Sequence, residues 1–250
     1  AKRLARQRGV AVTLVDRRNF HVFQPLLYQV ATGGLSPADI CAPLRSVMAP
    51  YKNVRTVLGD VTGFDLDGKR VLIGERELVY DYLVIAAGAR HHYFGHDNWE
   101  TVAPGLKTIE DATEIRGRVL QAFESAENEP DPEKRRGLLT FLIVGGGPTG
   151  VELAGTLGEI ANDTLKDDFR SFRPEEARIL LLEAGPPDTN PWIHIPLGFA
   201  RTYVNPKVNW MFETVEQPQM AGRKLYLPRG KTLGGSSSIN GMVYIRGNHG

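Results

Sequence analysis

The sequence predicts an α/β chain. Strand–turn–helix units with parallel strands carry the core, and a small antiparallel β-meander accompanies them. Three observations lead there. An apolar, β-prone run over residues 139–144 enters the turn Gly145-Gly146-Gly147-Pro148-Thr149-Gly150, and a stretch of helical periodicity leaves it. A second buried strand over residues 178–182 ends in Glu183. Near the start, residues 10–15 read as a strand ending in Asp16, after a helix-stop signal at Gly9.

Taken in order, residues 1–9 read as the last turns of a helix, and the cluster Lys2, Arg3, Arg6 and Arg8 as its solvated face. A helix followed by a strand ending in an acid is the second half of a βαβ unit. Its first strand and glycine turn are expected upstream of residue 1, where no initiating Met stands. Residues 21–34 read as a polar-aromatic loop and 39–48 as a short helix with Pro37 near its start. Residues 54–84 alternate short β-prone runs with turn signals at Gly63, Asp67-Gly68 and Gly74-Glu75, the pattern of a meander. Residues 82–89 read as a buried strand meeting the small-residue turn Ala86-Ala87-Gly88. Ile115, Val119, Leu120 and Phe123 mark one face of a helix over 110–126, and the charged, Pro-containing stretch 127–136 reads as a linker or exposed loop. A polar excursion, 162–177, separates the helix after the glycine turn from the strand ending at Glu183. Beyond Gly185 periodicity fades until a second Gly/Ser-rich loop, residues 228–241.

In the first glycine turn, Gly145 permits the tight bend, Gly147 lets a pyrophosphate approach the backbone and Gly150 lets the helix pack on the strand. The helix N-terminus adds free N–H groups and a positive dipole end. Glu183 suits the diol of an adenosine ribose, and an acid there repels a 2′-phosphate. These features predict dinucleotide binding.

Composition excludes several classes. With 30 Lys+Arg against 29 Asp+Glu, charge offers neither nucleic acid nor an anionic surface as partner. The single Cys41 excludes an intramolecular disulfide and a CxxC pair. No apolar run nears the ~20 residues of a membrane span, and no signal peptide is evident. His91, His92 and His96 lack the Cys or acid cluster of a metal site, so no metal is expected.

Residues 1 to about 183 resemble the type II NADH:quinone oxidoreductases, flavoproteins built from two dinucleotide folds. The resemblance rests on Val15-Asp16-Arg17, the run 21–33 with Phe23-Gln24-Pro25-Leu26-Leu27-Tyr28-Gln29, residues 82–89, and the stretch 145–154. It implies Rossmann-type FAD- and NAD-binding units, with 1–107 an FAD-binding domain lacking its first βα unit and 108–183 a partial NADH-binding unit. It implies Asp16 on the FAD ribose, Gln24, Pro25 and Thr32 lining the flavin, and the backbone of Ala86, Ala87 and Gly88 approaching the cofactor. Arg17 and Arg18 would either neighbour the phosphates or lie exposed. NADH would fall to Gly145, Gly147, Gly150 and Glu183. Glu152 would either handle protons for quinone reduction or simply favour the helix N-terminus.

From about Leu180 the chain is instead similar to the glucose–methanol–choline (GMC) oxidoreductases, through residues 182–186 and 230–247. That resemblance makes 184–250 a partial FAD-binding segment, with Gly234, Gly235, Ser236 and Asn240 cradling FAD and Glu183 on its ribose. A flexible surface loop is the alternative for these four. The chain thus reads as a hybrid joined at 180–186 and truncated at both ends, against one divergent flavoprotein. The expected activity is hydride transfer from NADH to FAD and electrons to a quinone. The alternatives are FAD-dependent alcohol or choline oxidation and a non-catalytic fragment, poorly soluble and without tight FAD. The first resemblance also implies a cytoplasmic protein, peripheral on the membrane in intact relatives although their anchor has no counterpart here, and allows a homodimer.

Overall fold

The computed structural model describes residues 1–93 and 95–243, so the end of the second glycine/serine motif, residues 244–247, and Gly250 lie outside the described residues. The chain divides into two compact units, Ala1–Glu114 and Ile115–Gly250.

The first unit opens with a single 3₁₀ turn, Leu4–Arg6, in place of the expected α-helix end; Gly9 takes φ +74° as a stop residue does. Strand β1 (Val12–Asp16) follows. The stretch expected as a loop holds a strand, β2 (Phe20–Val22), a 3₁₀ turn (Gln24–Leu26) and helix α1 (Leu27–Ala31). Leu27, Val30 and Ala31 are buried, and this apolar spacing turns a polar-looking stretch into a helix. The single helix expected over 39–48 is two: α2 (Pro37–Ile40) and α3 (Leu44–Met48), separated by β3 (Cys41–Pro43), which pairs antiparallel with β2. Pro43 cannot donate within a helix, which breaks the run. Ser36 caps α2 through a reciprocal bond with Asp39.

β4 (Val54–Leu58) corrects the meander. It runs parallel to β1, Val12 opposite Val54 through Asp16 opposite Leu58, and so completes a βαβ-type pairing. The meander proper is β5 (Gly63–Asp65), β6 (Arg70–Ile73) and β7 (Arg76–Val79), antiparallel in that order. Val57 of β4 packs with Val71 and Ile73 of the meander in one core, with Val15, Leu78, Tyr80 and Leu83 against them.

Residues 82–89 are not a buried strand. They form no ladder among the described residues, and Tyr82 is 94% and Val84 75% exposed. A strand needs a neighbour to satisfy its amides, and the β1–β4 sheet has two members.

α4 (Ile109–Glu127) begins where Thr108 and Asp111 exchange backbone–side-chain bonds of 2.9 and 3.1 Å, a capping box. Val119 and Phe123 of its predicted face are buried; Leu120 is exposed, because Ala126 rather than Leu120 continues the buried stripe. The expected linker 127–136 contains α5 (Pro132–Leu138). Asp131 caps it by accepting from the Glu133 N–H at 2.9 Å, and Pro132 takes the first position, where no amide donor is needed.

The second unit holds the fingerprint as read. β8 (Thr140–Val144) runs into the glycine turn, α6 (Pro148–Glu159) leaves it, and β9 (Arg178–Leu182) lies parallel to β8, Thr140 opposite Arg178 through Val144 opposite Leu182. α6 ends in a π-helical turn, Ile160–Thr164. The excursion 162–177 is less polar in effect than in sequence. Phe169 and Phe172 stack on Phe123, ring centroids 5.9 and 6.4 Å away, and close the core of Leu139, Ile143, Leu157 and Ile160. Past Gly185 come α7 (Phe199–Thr202), the two-residue strands β10 (Phe212–Glu213) and β11 (Tyr226–Leu227), paired antiparallel, and α8 (Ser236–Ile239).

Candidate nucleotide site

The three glycines of the first turn differ in geometry. Gly145 adopts φ +102°, open to glycine and strained for other residues. A side chain at Gly150 would collide with the Gly145 carbonyl, so the helix meets the strand backbone to backbone. At Gly147 nothing lies within 4 Å of where a side chain would start, which leaves the approach to the main chain open. The first-turn amides of α6 have no intrahelical acceptors, although Pro148 at its first position supplies none.

Glu183 sits beside this turn because β9 is the immediate parallel neighbour of β8. Its Oε2 accepts from the Gly146 N–H at 2.8 Å and its Oε1 from the Gly185 N–H at 3.0 Å. The carboxylate is thereby fixed in one rotamer at the strand end.

The second Gly/Ser loop folds back on the first. The Gly234 N–H donates to the Gly146 carbonyl at 2.7 Å, and Gly235 lies so close to Gly147 that a side chain there would meet its Cα at 3.0 Å. Gly234 and Gly235 take φ +86° and +56°. Ser236 Oγ accepts from the Gly230 N–H at 3.1 Å, and Asn240 closes a local turn through the Met242 N–H at 2.7 Å. The Thr232 hydroxyl, fully buried, donates to the Pro186 carbonyl at 2.9 Å and ties this loop to the end of β9.

Between the two loops lies a cavity of ≈ 670 Å³, within the ~300–1,000 Å³ range of small-molecule sites. Gly145, Gly147, Glu183, Gly235 and Ser236 line it, so predicted residues from both motifs meet at one cavity. Trp210, Phe212 and Arg229 line it too and were missed in the sequence. The stretch with the two aromatics lacks periodicity, and the available signal was only an aromatic pair two residues apart and a basic residue at the start of the Gly/Ser loop. Glu152 lies exposed on α6 and is not among the lining residues.

The remaining predicted residues belong to the first unit. Asp16, at the end of β1, accepts the Arg18 and Asn19 amides at 2.8 and 2.9 Å on Oδ1. Arg17 is exposed; Arg18 pairs with Glu110 at 3.1 Å, and its guanidinium holds that carboxyl below the ordinary range. Gln24 donates to the Lys107 carbonyl at 3.3 Å, Pro25 is exposed, and the Thr32 hydroxyl donates to the Tyr28 carbonyl at 2.9 Å. Ala86, Ala87 and Gly88 are exposed, and Gly88, φ +76°, has open space where a side chain would start. Burial, with a smaller contribution from Glu110, raises the Cys41 thiol. His91 bonds Glu100 at 3.1 Å and His96 stacks on Trp99, so these imidazoles have local structural partners.

The sequence pattern of the pyridine nucleotide-disulphide oxidoreductases matches residues 1–186. The chain belongs to that family. Within it, a type II NADH:quinone oxidoreductase of Mycobacterium tuberculosis is 50% identical over 190 residues, 74% of this chain and 41% of the relative. The structure of NDH2 from Plasmodium falciparum in complex with NADH superposes with a TM-score of 0.64 at 28% identity, covering 70% of this chain and 37% of that one. The chain therefore spans about two fifths of these two relatives. An alcohol dehydrogenase (acceptor) of Pseudomonas putida is 50% identical over 107 residues, 43% of this chain and 17% of the relative. Among the described residues no helix is long and apolar enough to cross a membrane.

Proposed function

We propose that the chain is the nucleotide-handling part of a flavin-dependent NADH:quinone oxidoreductase. The observation that carries this reading is the cavity over Gly147, with Glu183 fixed at the end of the adjacent parallel strand. The residues present fit a dinucleotide: an open main-chain approach for the pyrophosphate, a carboxylate for the ribose diol, and a volume suited to a nucleotide. Bound there and in the first unit, nicotinamide and flavin would supply hydride and electron transfer.

In this reading Gly145 and Gly150 shape the turn, Gly147 admits the phosphates and Glu183 orients the ribose while disfavouring a 2′-phosphate. Asp16, Arg17, Gln24, Pro25, Thr32, Ala87 and Gly88 serve FAD in the first unit; in this reading residues 1–107 are the FAD-binding portion and 108–183 the NADH-binding portion. Glu152, exposed on α6, passes protons towards the quinone. A quinone partner follows the type II NADH:quinone oxidoreductase that is 50% identical, and we extend the reading to peripheral membrane contact at the cytoplasmic face and a homodimer.

A second reading has its own observation: the Gly234 contact with Gly146 makes the 228–241 loop part of the same site. It fits FAD-dependent alcohol oxidation of the GMC kind, with Gly234, Gly235, Ser236 and Asn240 holding the cofactor in a hybrid chain whose last portion is 184–250. The bond from the Gly234 N–H to the Gly146 carbonyl packs the two segments together across the join, and the bonds from Thr232 and Leu233 to Pro186 brace the loop that makes it. A non-catalytic fragment is the third outcome.

The deciding experiment supplies the full chain with FAD and follows NADH-dependent quinone reduction beside alcohol-dependent dye reduction. The first activity, lost in Gly147→Val, is the expected result. Alcohol-dependent reduction alone would transfer the assignment to the second reading. Absence of both, with no NADH binding by calorimetry, would overturn the nucleotide site itself.

A further inference from the structure

The cavity has a wall that neither glycine motif accounts for. Trp210 and Phe212 stand on it with ring planes 4° apart and centroids 5.9 Å apart, 43% and 51% exposed. An offset aromatic pair left open beside a phosphate-sized approach is a surface on which another flat π system can lie. The pair is held in place. Between the two rings, Met211 adopts φ +53°, a left-handed conformation that L-residues avoid. Its N–H donates to Asn209 Oδ1 at 2.9 Å, and the same oxygen accepts from the Arg229 N–H at 3.0 Å. Asn209 is 2% exposed, and its amide group also donates to the Tyr203 carbonyl and the Tyr226 hydroxyl, each at 2.9 Å. One buried side chain therefore fixes both the strained residue between the rings and the backbone of Arg229. Lys231 Nζ lies 4.7 Å from the Trp210 ring centre and braces it as a cation–π partner. Arg229, on the cavity rim, has no carboxylate at ion-pair distance among the described residues; its side chain bonds the Pro228 carbonyl at 2.8 Å.

We propose that Trp210 and Phe212 form the platform for the purine base of an adenosine-diphosphate ligand whose phosphates lie over the 145–150 turn, and that Arg229 neutralises those phosphates. This rests on the nucleotide-site reading above and adds to it the residues that recognise the adenine end. Glu183 and Arg229 divide the ligand by charge: the carboxylate takes the hydroxyl-bearing sugar, and the guanidinium takes the phosphate.

The test uses the full chain in a Trp99→Phe, Trp192→Phe background, where Trp210 is the one remaining tryptophan. ADP-ribose is the probe, with ribose 5-phosphate as the base-free control. ADP-ribose is expected to quench Trp210 emission, and ribose 5-phosphate to leave it unchanged. Phe212→Ala is expected to weaken ADP-ribose by about tenfold, Phe212→Tyr to restore it, and neither to alter ribose 5-phosphate binding. Arg229→Gln should weaken both and flatten the salt dependence. Because Phe212 is half exposed, its truncation leaves the fold, checked by circular dichroism. If ADP-ribose binds calorimetrically with unchanged affinity in Phe212→Ala and without a Trp210 signal, the platform is wrong while the nucleotide site stands. If ADP-ribose does not bind at all, both fall.

Discussion

At the residue scale, two glycines of the same turn make opposite predictions. A side chain at Gly147 meets open space at an ordinary φ of −70°, whereas one at Gly150 runs into the Gly145 carbonyl. Gly147→Val should therefore cost no more than about 1 kcal/mol of unfolding free energy, the loss expected of a valine at a helix N-cap, and weaken NADH by tenfold or more. Gly150→Ala should lower stability by about 1–3 kcal/mol, the usual effect of overpacking. Urea unfolding and NADH titration of the two variants separate these effects; equal loss of stability in both would contradict the assigned roles. These positions were legible in the sequence because a glycine's necessity is local, set by its own φ and by neighbours a few residues away. Glu183 was legible for a related reason, since a strand that ends in an acid beside a glycine turn can pair in parallel with the strand before it. Trp210, Phe212 and Arg229 were not, because their placement depends on Asn209, whose four hydrogen bonds are invisible in the linear order of residues.

At the scale of elements, hydrophobic periodicity located α4, β8, α6 and β9, and failed where caps or pairing partners decide. Asp131 and Pro132 made a helix of charged residues that read as a linker. Residues 82–89 carry a strand's composition without a ladder among the described residues. The excursion 162–177 was read by its charges, yet its two phenylalanines close the core and its backbone is anchored by Glu127. That carboxylate accepts the Ser171 N–H at 3.0 Å and the Arg170 N–H at 3.1 Å. These bonds, the Ser171 amide first, hold the Glu127 carboxyl below its ordinary value. A lowered folded-state value stabilises the fold above the unfolded carboxylate range and loses that contribution as pH falls through the depressed value. Glu127→Gln should thus reduce stability at pH 7 and leave a flatter stability profile on the acid side, measured by thermal unfolding between pH 3 and 7. A parallel downward shift at every pH would assign the loss to packing instead.

At the scale of the whole molecule, each unit is built on a two-stranded parallel sheet, and each leaves apolar side chains uncovered. In the second unit Leu142, Val144, Leu180 and Leu182 face away from the core; in the first, Tyr82, Val84 and Ile85 are open. Patches of this kind bind hydrophobic dyes and favour association. The purified chain should enhance anilinonaphthalene sulfonate emission in native buffer. No enhancement from a monomer in sedimentation would show these faces to be covered. One contact in the second unit reaches further than its own two residues. In a trans peptide the C=O and the following N–H point in opposite directions. Because the Gly146 oxygen accepts the Gly234 N–H, the negative end of the 146–147 amide plane is already engaged by a donor, and its N–H lies on the side opposite that bond.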